Sequence, residues 1–274
     1  VLLDWLFIFP LGWGVMGAAF ASTISIATGG VIVVRYLTHG ARTLRLYRLK
    51  WSRKSFRLTF RNIGYQCRIG SSALLGEMTM AVLLFTGNQV FMRYLGDAGV
   101  GAFGITCYYM PFIFMIGNAV AQSAQPIISY SFGRMEWPRV IEARRIALLT
   151  ALACGCLVAA CFIAVPRLLV ALFVDPADPA AQIAIDGFPL FAPGCIFFVV
   201  NLAAIGYFQS LERLAPASLF ALLRGLVLLV PCFVFLPQLL GVSGIWFAMP
   251  LSESLTFLSI VGYVAIRRRR CAGR

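Results

Sequence analysis

Residues 10–21, Pro10-Leu-Gly-Trp-Gly14-Val15-Met-Gly17-Ala-Ala-Phe20-Ala21, return near the other end of the chain as Pro237-Gln-Leu-Leu-Gly241-Val242-Ser-Gly244-Ile-Trp-Phe247-Ala248. Six of the twelve positions are identical at a constant offset of 227 residues, among them the proline and two spaced glycines. A segment that closes one structural unit near residue 25 and recurs so far downstream predicts a unit of about 227 residues, repeated in tandem. On that period most of the first copy falls outside the sequence, so the chain reads as the later part of a longer protein. The lack of an initiator methionine at Val1 agrees with this expectation.

The composition says what kind of unit repeats. Hydrophobic residues make up 61% of the 274 residues and charged ones 12%, with a mean hydropathy of +0.88. Soluble domains run near 45–50% apolar and about 25% charged. The apolar runs are long, rich in Leu, Ala, Phe and Gly, and lack period-two alternation, which selects membrane helices over a barrel. Spans are expected near 14–36, 70–95, 98–128, 143–165, 187–210, 216–236 and 243–266, preceded by a half-span over 1–9. The fold class is therefore an all-α integral membrane protein.

The net charge of +13 follows from topology. All Lys and Arg except Arg93, Arg167 and Arg224 fall on alternate loops: ten between Arg35 and Arg68, then Arg134, Arg139, Arg144, Arg145, Arg213, Arg267–Arg270 and Arg274. By the positive-inside rule that side is cytoplasmic, as is the C-terminus. The basic residues are thus not a nucleic-acid footprint. The eight Cys show no CxxC and no neighbouring His, and the single His39 sits in the basic loop, so neither zinc nor a disulfide framework is indicated.

Six helices separate the two repeat copies, an even number, so both enter the membrane in the same orientation. The two lobes should be related by an axis along the membrane normal. Residues 1–36 then end the N-terminal lobe, 37–69 form a cytoplasmic basic connector, 70–266 form a six-helix C-terminal lobe, and 267–274 a basic tail. In the connector, Leu46, Leu49, Trp51, Phe56 and Phe60 interleave with Arg and Lys, which fits either a helix at the cytoplasmic interface or a solvated linker.

Charges at bilayer depth are costly and mark partners or water-filled cavities. Asp4 lies in the half-span, and Ser22 one span later adds a hydroxyl; together they are a candidate cation site. Glu77 lies about 10 Å into its helix. Arg224 and Glu253 flank a hairpin with its apex near 238–241, at similar depth on antiparallel neighbours, and are expected to pair. Asn118, Gln122 and Gln125 recur at spacings of four and three and so share one helical face, directed into the bundle or a cavity. Asn88, Gln89, Asn201 and Gln209 extend the polar inventory. Glu77, Asn118, Gln122, Gln125, Gln209, Arg224 and Glu253 are the candidate substrate-binding or gating residues. No P-loop, nucleophile elbow, HExxH or paired-carboxylate motif is present, which argues against an enzyme; no cofactor is expected.

Several blocks resemble the multidrug and toxic compound extrusion (MATE) family of secondary transporters: Leu3-Asp4 with Phe7-Ile8; Gly14-Val15-Met-Gly17-Ala18-Ala19-Phe-Ala21-Ser22-Thr-Ile24-Ser25; Gly96-Asp97; Gln122-Ser-Ala-Gln125-Pro126-Ile127-Ile128-Ser129; Phe208-Gln209; and Gly244-Ile245-Trp246-Phe-Ala248-Met-Pro250. The resemblance runs over the whole chain. It implies a two-lobe, twelve-helix fold of which this chain holds the end of helix 5 and helices 6–12. It also implies that Asp4, joined by Ser22, contributes to an N-lobe site for H⁺ or Na⁺. Some members use acids in helices 7 and 10 instead; here Glu77 is out of that motif's register and Asp186 stands at the outer end of its helix. The implied activity is cation-coupled antiport that exports organic cations, drugs or related amphipathic compounds from a monomer in the plasma membrane, the inner membrane in bacteria. The rival expectations are a flippase for a lipid-linked saccharide, from the same broader superfamily, and a non-transporting assembly subunit.

Overall fold

The computed structural model describes residues 2–40 and 52–272, with backbone only at 68, 69, 72 and 268–272. Leu46, Leu49 and Trp51 of the connector lie outside the described residues, as do Val1 and the end of the tail. Every regular element is helical: α1 (Leu2–Ile8), α2 (Gly14–Arg35), α3 (Arg53–Gly133), α4 (Trp137–Ala164), α5 (Pro166–Ala171), α6 (Pro179–Ser210), α7 (Leu214–Leu222), α8 (Leu229–Leu240) and α9 (Val242–Ala272). Two π-helical turns, Tyr36–Gly40 and Leu223–Val227, follow α2 and α7. Among the described residues six stretches are long and apolar enough to cross a membrane, the longest being 61 residues. That stretch would extend about 90 Å as one helix, far more than a hydrocarbon core of about 30 Å. Gly96 divides it, with φ 62° and ψ −153°, a conformation closed to residues with a Cβ. The limbs 53–95 and 97–133 are thus two helices, matching the spans expected on either side of Gly96-Asp97.

The chain forms two units, 1–62 and 63–274. In the first, α1 packs against α2 around a tight turn. A Cβ on Gly17 would stand 2.9 Å from Phe7 Cβ and 3.0 Å from its carbonyl oxygen, so only glycine lets these helices approach. Phe7 stacks on Trp13 at 5.3 Å between ring centroids. The second copy of the repeat builds the same corner in the second unit. Gly14 and Gly241, one offset apart, both take positive φ (52° and 60°), and Gly17 and Gly244 both press on the backbone of the preceding helix. Ala21 and Ala248 are both buried, at 2% and 0% exposure. The two glycine identities and the alanine identity of the repeat are thus residues that this helix–turn–helix corner uses. A Cβ on Gly244 would collide with the Leu236 carbonyl oxygen and lie 3.0 Å from the Pro237 nitrogen. Because backbone cannot step aside, Gly244→Ala is expected to destabilise the protein by about 1–3 kcal/mol, read as a lowered melting temperature in detergent. Gly262→Ala on the same helix, where a Cβ meets nothing within 4 Å, is the control.

In the second unit α6 is the central helix. Of its most apolar window 72% is buried, against 22% for α4 and 33% for α9, which pack on it. Asp178 caps its start by accepting from the Ala180 amide at 2.8 Å, with Pro179 in the first turn. Phe91, Phe103, Phe162, Phe188, Phe198 and Trp246 form the aromatic centre of the core. Phe91 stacks on Phe103 at 4.7 Å and meets Trp246 edge-on at 4.9 Å. Part of the aromatic content is spent here on packing, while residues such as Trp5, Phe85, Tyr108, Phe112 and Phe235 are exposed.

Two features differ from the sequence reading. Residues 53–69, assigned to the connector, are the first turns of α3 and run unbroken into the span. Basic residues with few helix breakers simply continue a helix out of the apolar run. Tyr65 in this extension donates to Glu212 Oε2 at 2.9 Å, and the carboxylate raises the phenol above its usual range. The short helix α5 was also unforeseen; Tyr109 holds it by donating to the Leu169 carbonyl at 2.9 Å.

Candidate functional site

Polar side chains from four segments of the second unit meet at one cavity of about 460 Å³. The limb 97–133 supplies Asn118, Gln122 and Gln125 from a single face, as their spacing predicts. The limb 53–95 supplies Glu77 beside Gly76, α6 supplies Gln209, and the π-helical turn after α7 supplies Arg224. The opening exists because small residues, Gly70, Ala73, Gly76, Ala121 and Gly206, stand where larger ones would fill it. Glu77, Gln122 and Gln125 are exposed, Asn118 and Gln209 are half-buried, and Arg224 is closed off at 1% exposure. Among the described residues Phe114 is the only aromatic one in the lining, and the polar groups stand among Leu202, Ile205 and alanines on a mixed polar and apolar surface.

Arg224 is held from behind. Its Nε donates to Glu253 Oε1 at 2.7 Å, with both side chains at most 2% exposed, so the hairpin register placed the pair correctly. Asn201 Nδ2 donates to Glu253 Oε2 at 2.8 Å and to the Glu253 carbonyl at 2.9 Å. The guanidinium carbon lies 3.9 Å from the centre of the Phe198 ring. A buried pair survives desolvation only when its geometry is good and its remaining lone pairs are occupied; here both Glu253 oxygens accept hydrogen bonds. Arg224 Nη2 and Asn201 Oδ1 are buried without a protein partner among the described residues, which leaves the network donor and acceptor capacity beyond the pair. Glu253 is not itself on the cavity wall.

The backbone at this point is unusual. Leu228 N–H bonds to the Leu223 carbonyl at 2.9 Å, five residues back, and so widens the helix over Leu223–Val227. Such turns recur at functional sites because the extra residue re-aims its neighbours. Next to Arg224, Gly225 permits close approach to α3, since a Cβ there would collide with Thr79 Oγ1. Sequence reasoning missed this turn and the part played by Asn201. The available signals were an Arg-Gly step inside an apolar run and a lone amide in the most buried helix.

The first unit brings the other two candidates together. Asp4 from α1 and Ser22 from α2 line one recess of about 610 Å³, with Ser25 beside them and Leu2, Leu3, Ala21 and Ile26 completing the wall. A carboxylate with two hydroxyls is a hard oxygen set suited to a proton or Na⁺. Among the described residues no three His, Cys, Asp or Glu gather as a metal site.

The sequence profile of the MatE family matches residues 73–234, more than half of the chain. The chain belongs to the MatE family. The matched region contains the cavity wall from Ala73 to Arg224, while Gly70 of that wall, Asp4, Ser22 and Glu253 lie outside it. Among relatives, the multidrug export protein MepA of Staphylococcus aureus (strain bovine RF122 / ET3-1) is 24% identical over 98% of this chain and 58% of its own length. A probable multidrug resistance protein, NorM, of Agrobacterium fabrum is 25% identical over 95% of this chain and 57% of its own. The chain thus spans somewhat over half the length of the curated relatives it matches. An outward-facing multidrug resistance MATE transporter of the MOP superfamily superposes with a TM-score of 0.83 at 20% identity, over 99% of this chain and 59% of its own. A MOP-superfamily transporter from Pyrococcus furiosus superposes equally well, at 0.83 and 19%. The fold is that of the two-lobe, twelve-helix MatE transporters, with about half of their helices present in this chain. It is a multi-pass membrane fold in a family of ion-coupled transporters, not of enzymes.

Proposed function

We propose that the protein is a cation-coupled antiporter: an inward flux of H⁺ or Na⁺, taken up at Asp4 and Ser22, drives alternating access and exports organic cations, drugs or related amphipathic compounds. The observation that carries this reading is the convergence of Glu77, Asn118, Gln122, Gln125, Gln209 and Arg224 on one cavity. A wall of amides with one carboxylate offers hydrogen bonds and a single negative charge to a cationic amphipath, and its uncharged donors tolerate varied shapes. The relatives MepA and NorM, named for multidrug export and resistance, support the same substrate class. A flippase for an anionic lipid-linked saccharide would need cationic side chains free to meet its phosphates, and Arg224 is neutralised by Glu253. With the basic loops on the cytoplasmic side, the C-terminus is cytoplasmic and the protein sits in the plasma membrane as a monomer.

Gly76 supplies the test. It lines the cavity, and a Cβ there meets nothing within 4 Å, so a large side chain enters the cavity rather than a packed interface. Gly76→Phe is expected to weaken export of a cationic dye by about 5- to 150-fold, the equivalent of about 1–3 kcal/mol of overpacking against substrate. Gly76→Ala should export normally. Full export by a membrane-inserted Gly76→Phe protein would remove this cavity from the transport route.

A further inference from the structure

A second opening in the same unit shares no lining residue with the polar cavity and has different chemistry. Helices α4 and α9 both pack on α6, and α6 forms the floor of a groove of about 750 Å³ between them. Its walls are Leu149 and Leu152 on α4, Phe197 and Val200 on α6, and Val261 and Val264 on α9. Leu149, Leu152 and Val261 are 54%, 44% and 47% exposed, so the groove is open along its side. One end carries the only charged residues of its lining among the described residues, Arg144 and Arg145. The other end closes at Phe197 and Phe257, whose rings lie 5.6 Å apart.

The two arginines stand out from their neighbours. Arg134 and Arg139, on the same side, both pair with Glu136 at 2.9 Å. Among the described residues neither Arg144 nor Arg145 forms an ion pair. Arg144 is held against the Tyr207 ring, 5.5 Å from its centroid, and its Nε is buried with no protein acceptor. A buried guanidinium donor is costly without an acceptor, and an anionic oxygen at this point would satisfy it. The groove's length fits what that anion would be attached to. Its α6 lining covers 196–208, about 18 Å of helix, and one leaflet of hydrocarbon is about 15 Å deep.

We propose that this groove is a binding site for an anionic phospholipid, with an acyl chain along α6 and the headgroup phosphate on Arg144 and Arg145. A cationic transport substrate is repelled by the same arginines, and a zwitterionic phospholipid sets its own ammonium beside them, which offsets the attraction of its phosphate. Basic pockets between membrane helices at the cytoplasmic side suit anionic headgroups in this way. Occupancy would hold α4 and α9 at fixed separation on α6, the helix that also supplies Gln209 to the polar cavity.

Native mass spectrometry of the purified protein, with phosphatidylglycerol and phosphatidylcholine added in equal amounts, tests this site. Phosphatidylglycerol should be retained preferentially. The preference should fall by about fivefold for each arginine removed, so most of it is lost in R144Q/R145Q and restored in R144K/R145K, which separates lost charge from lost fold. Leu152→Trp, which fills the exposed groove and keeps both arginines, should also release the lipid. Equal retention of the two lipids by the unaltered protein overturns the proposal, as does failure of the lysine pair to restore preference. Undiminished phosphatidylglycerol binding in Leu152→Trp would reduce the arginines to a surface contact and overturn the groove.

Discussion

Glu253→Ala lowers the stability of the protein by about 3–5 kcal/mol, because it strands Arg224 as an uncompensated charge in an apolar interior. Both partners are at most 2% exposed, so solvent cannot screen the loss. The damage exceeds that of one hydrogen bond, since Asn201 loses its carboxylate acceptor as well and keeps only the backbone carbonyl of residue 253. Arg224→Ala should destabilise comparably by stranding the carboxylate. Removing both charges with shape-matched apolar residues, R224M/E253L, should recover much of the stability, since a buried pair replaced as a unit costs little. The exchanged pair R224E/E253R should recover less, because Asn201 Nδ2 then faces a guanidinium instead of a carboxylate. Thermal unfolding in detergent of the unaltered protein, these four variants and R224A/E253A, which closes the cycle with the two alanine singles, yields the coupling energy directly. A cycle in which the single and double effects simply add would mean that the two residues do not act as a pair.

Asp4→Asn is expected to reduce export of a cationic dye to the level of cells without the protein, while leaving its amount in the membrane unchanged. Asn keeps the shape and hydrogen-bonding reach of Asp but removes the charge and the titratable proton. A site that couples by binding H⁺ or Na⁺ needs that charge, whereas a merely structural polar contact tolerates the amide. Ser22→Ala, which shares the recess, should weaken coupling less, since Ser25 and Asp4 remain. Wild-type export by Asp4→Asn with unchanged dependence on ion gradients would dismiss this acid as the coupling site.

The spans were legible because helices in lipid must satisfy their own backbone and so announce themselves as long apolar runs. The repeat was legible for a different reason. Gly14 and Gly241 are fixed by positive φ, and Gly17 and Gly244 by contact with a neighbouring backbone, constraints that no other residue meets. The polar face at 118, 122 and 125 followed from helical spacing, and the Arg224–Glu253 pair from equal depth on either side of a turn. Propensity did not reveal the π turn at Leu223–Val227, since the same leucines and valines suit an ordinary α-helix; tertiary contact between Gly225 and Thr79 distinguishes it. Nor did spacing within single helices show that Glu77, Gln209 and Arg224 would join the amide face, because three-dimensional proximity of separate helices leaves no periodic trace. The extension of α3 back to Arg53 was read as connector because its charges masked a continuous helix.

The central claim is coupling, and it is tested most directly by reconstituting the protein in liposomes with a fluorescent organic cation and imposing ion gradients one at a time. A gradient of H⁺ or Na⁺ directed opposite to substrate movement should drive the cation to accumulate against its own gradient. Adding substrate should in turn dissipate the ion gradient, as reciprocal linkage requires. Both effects should vanish with Asp4→Asn. Substrate movement at the same rate and to the same final level whatever ion gradient is imposed would contradict the account.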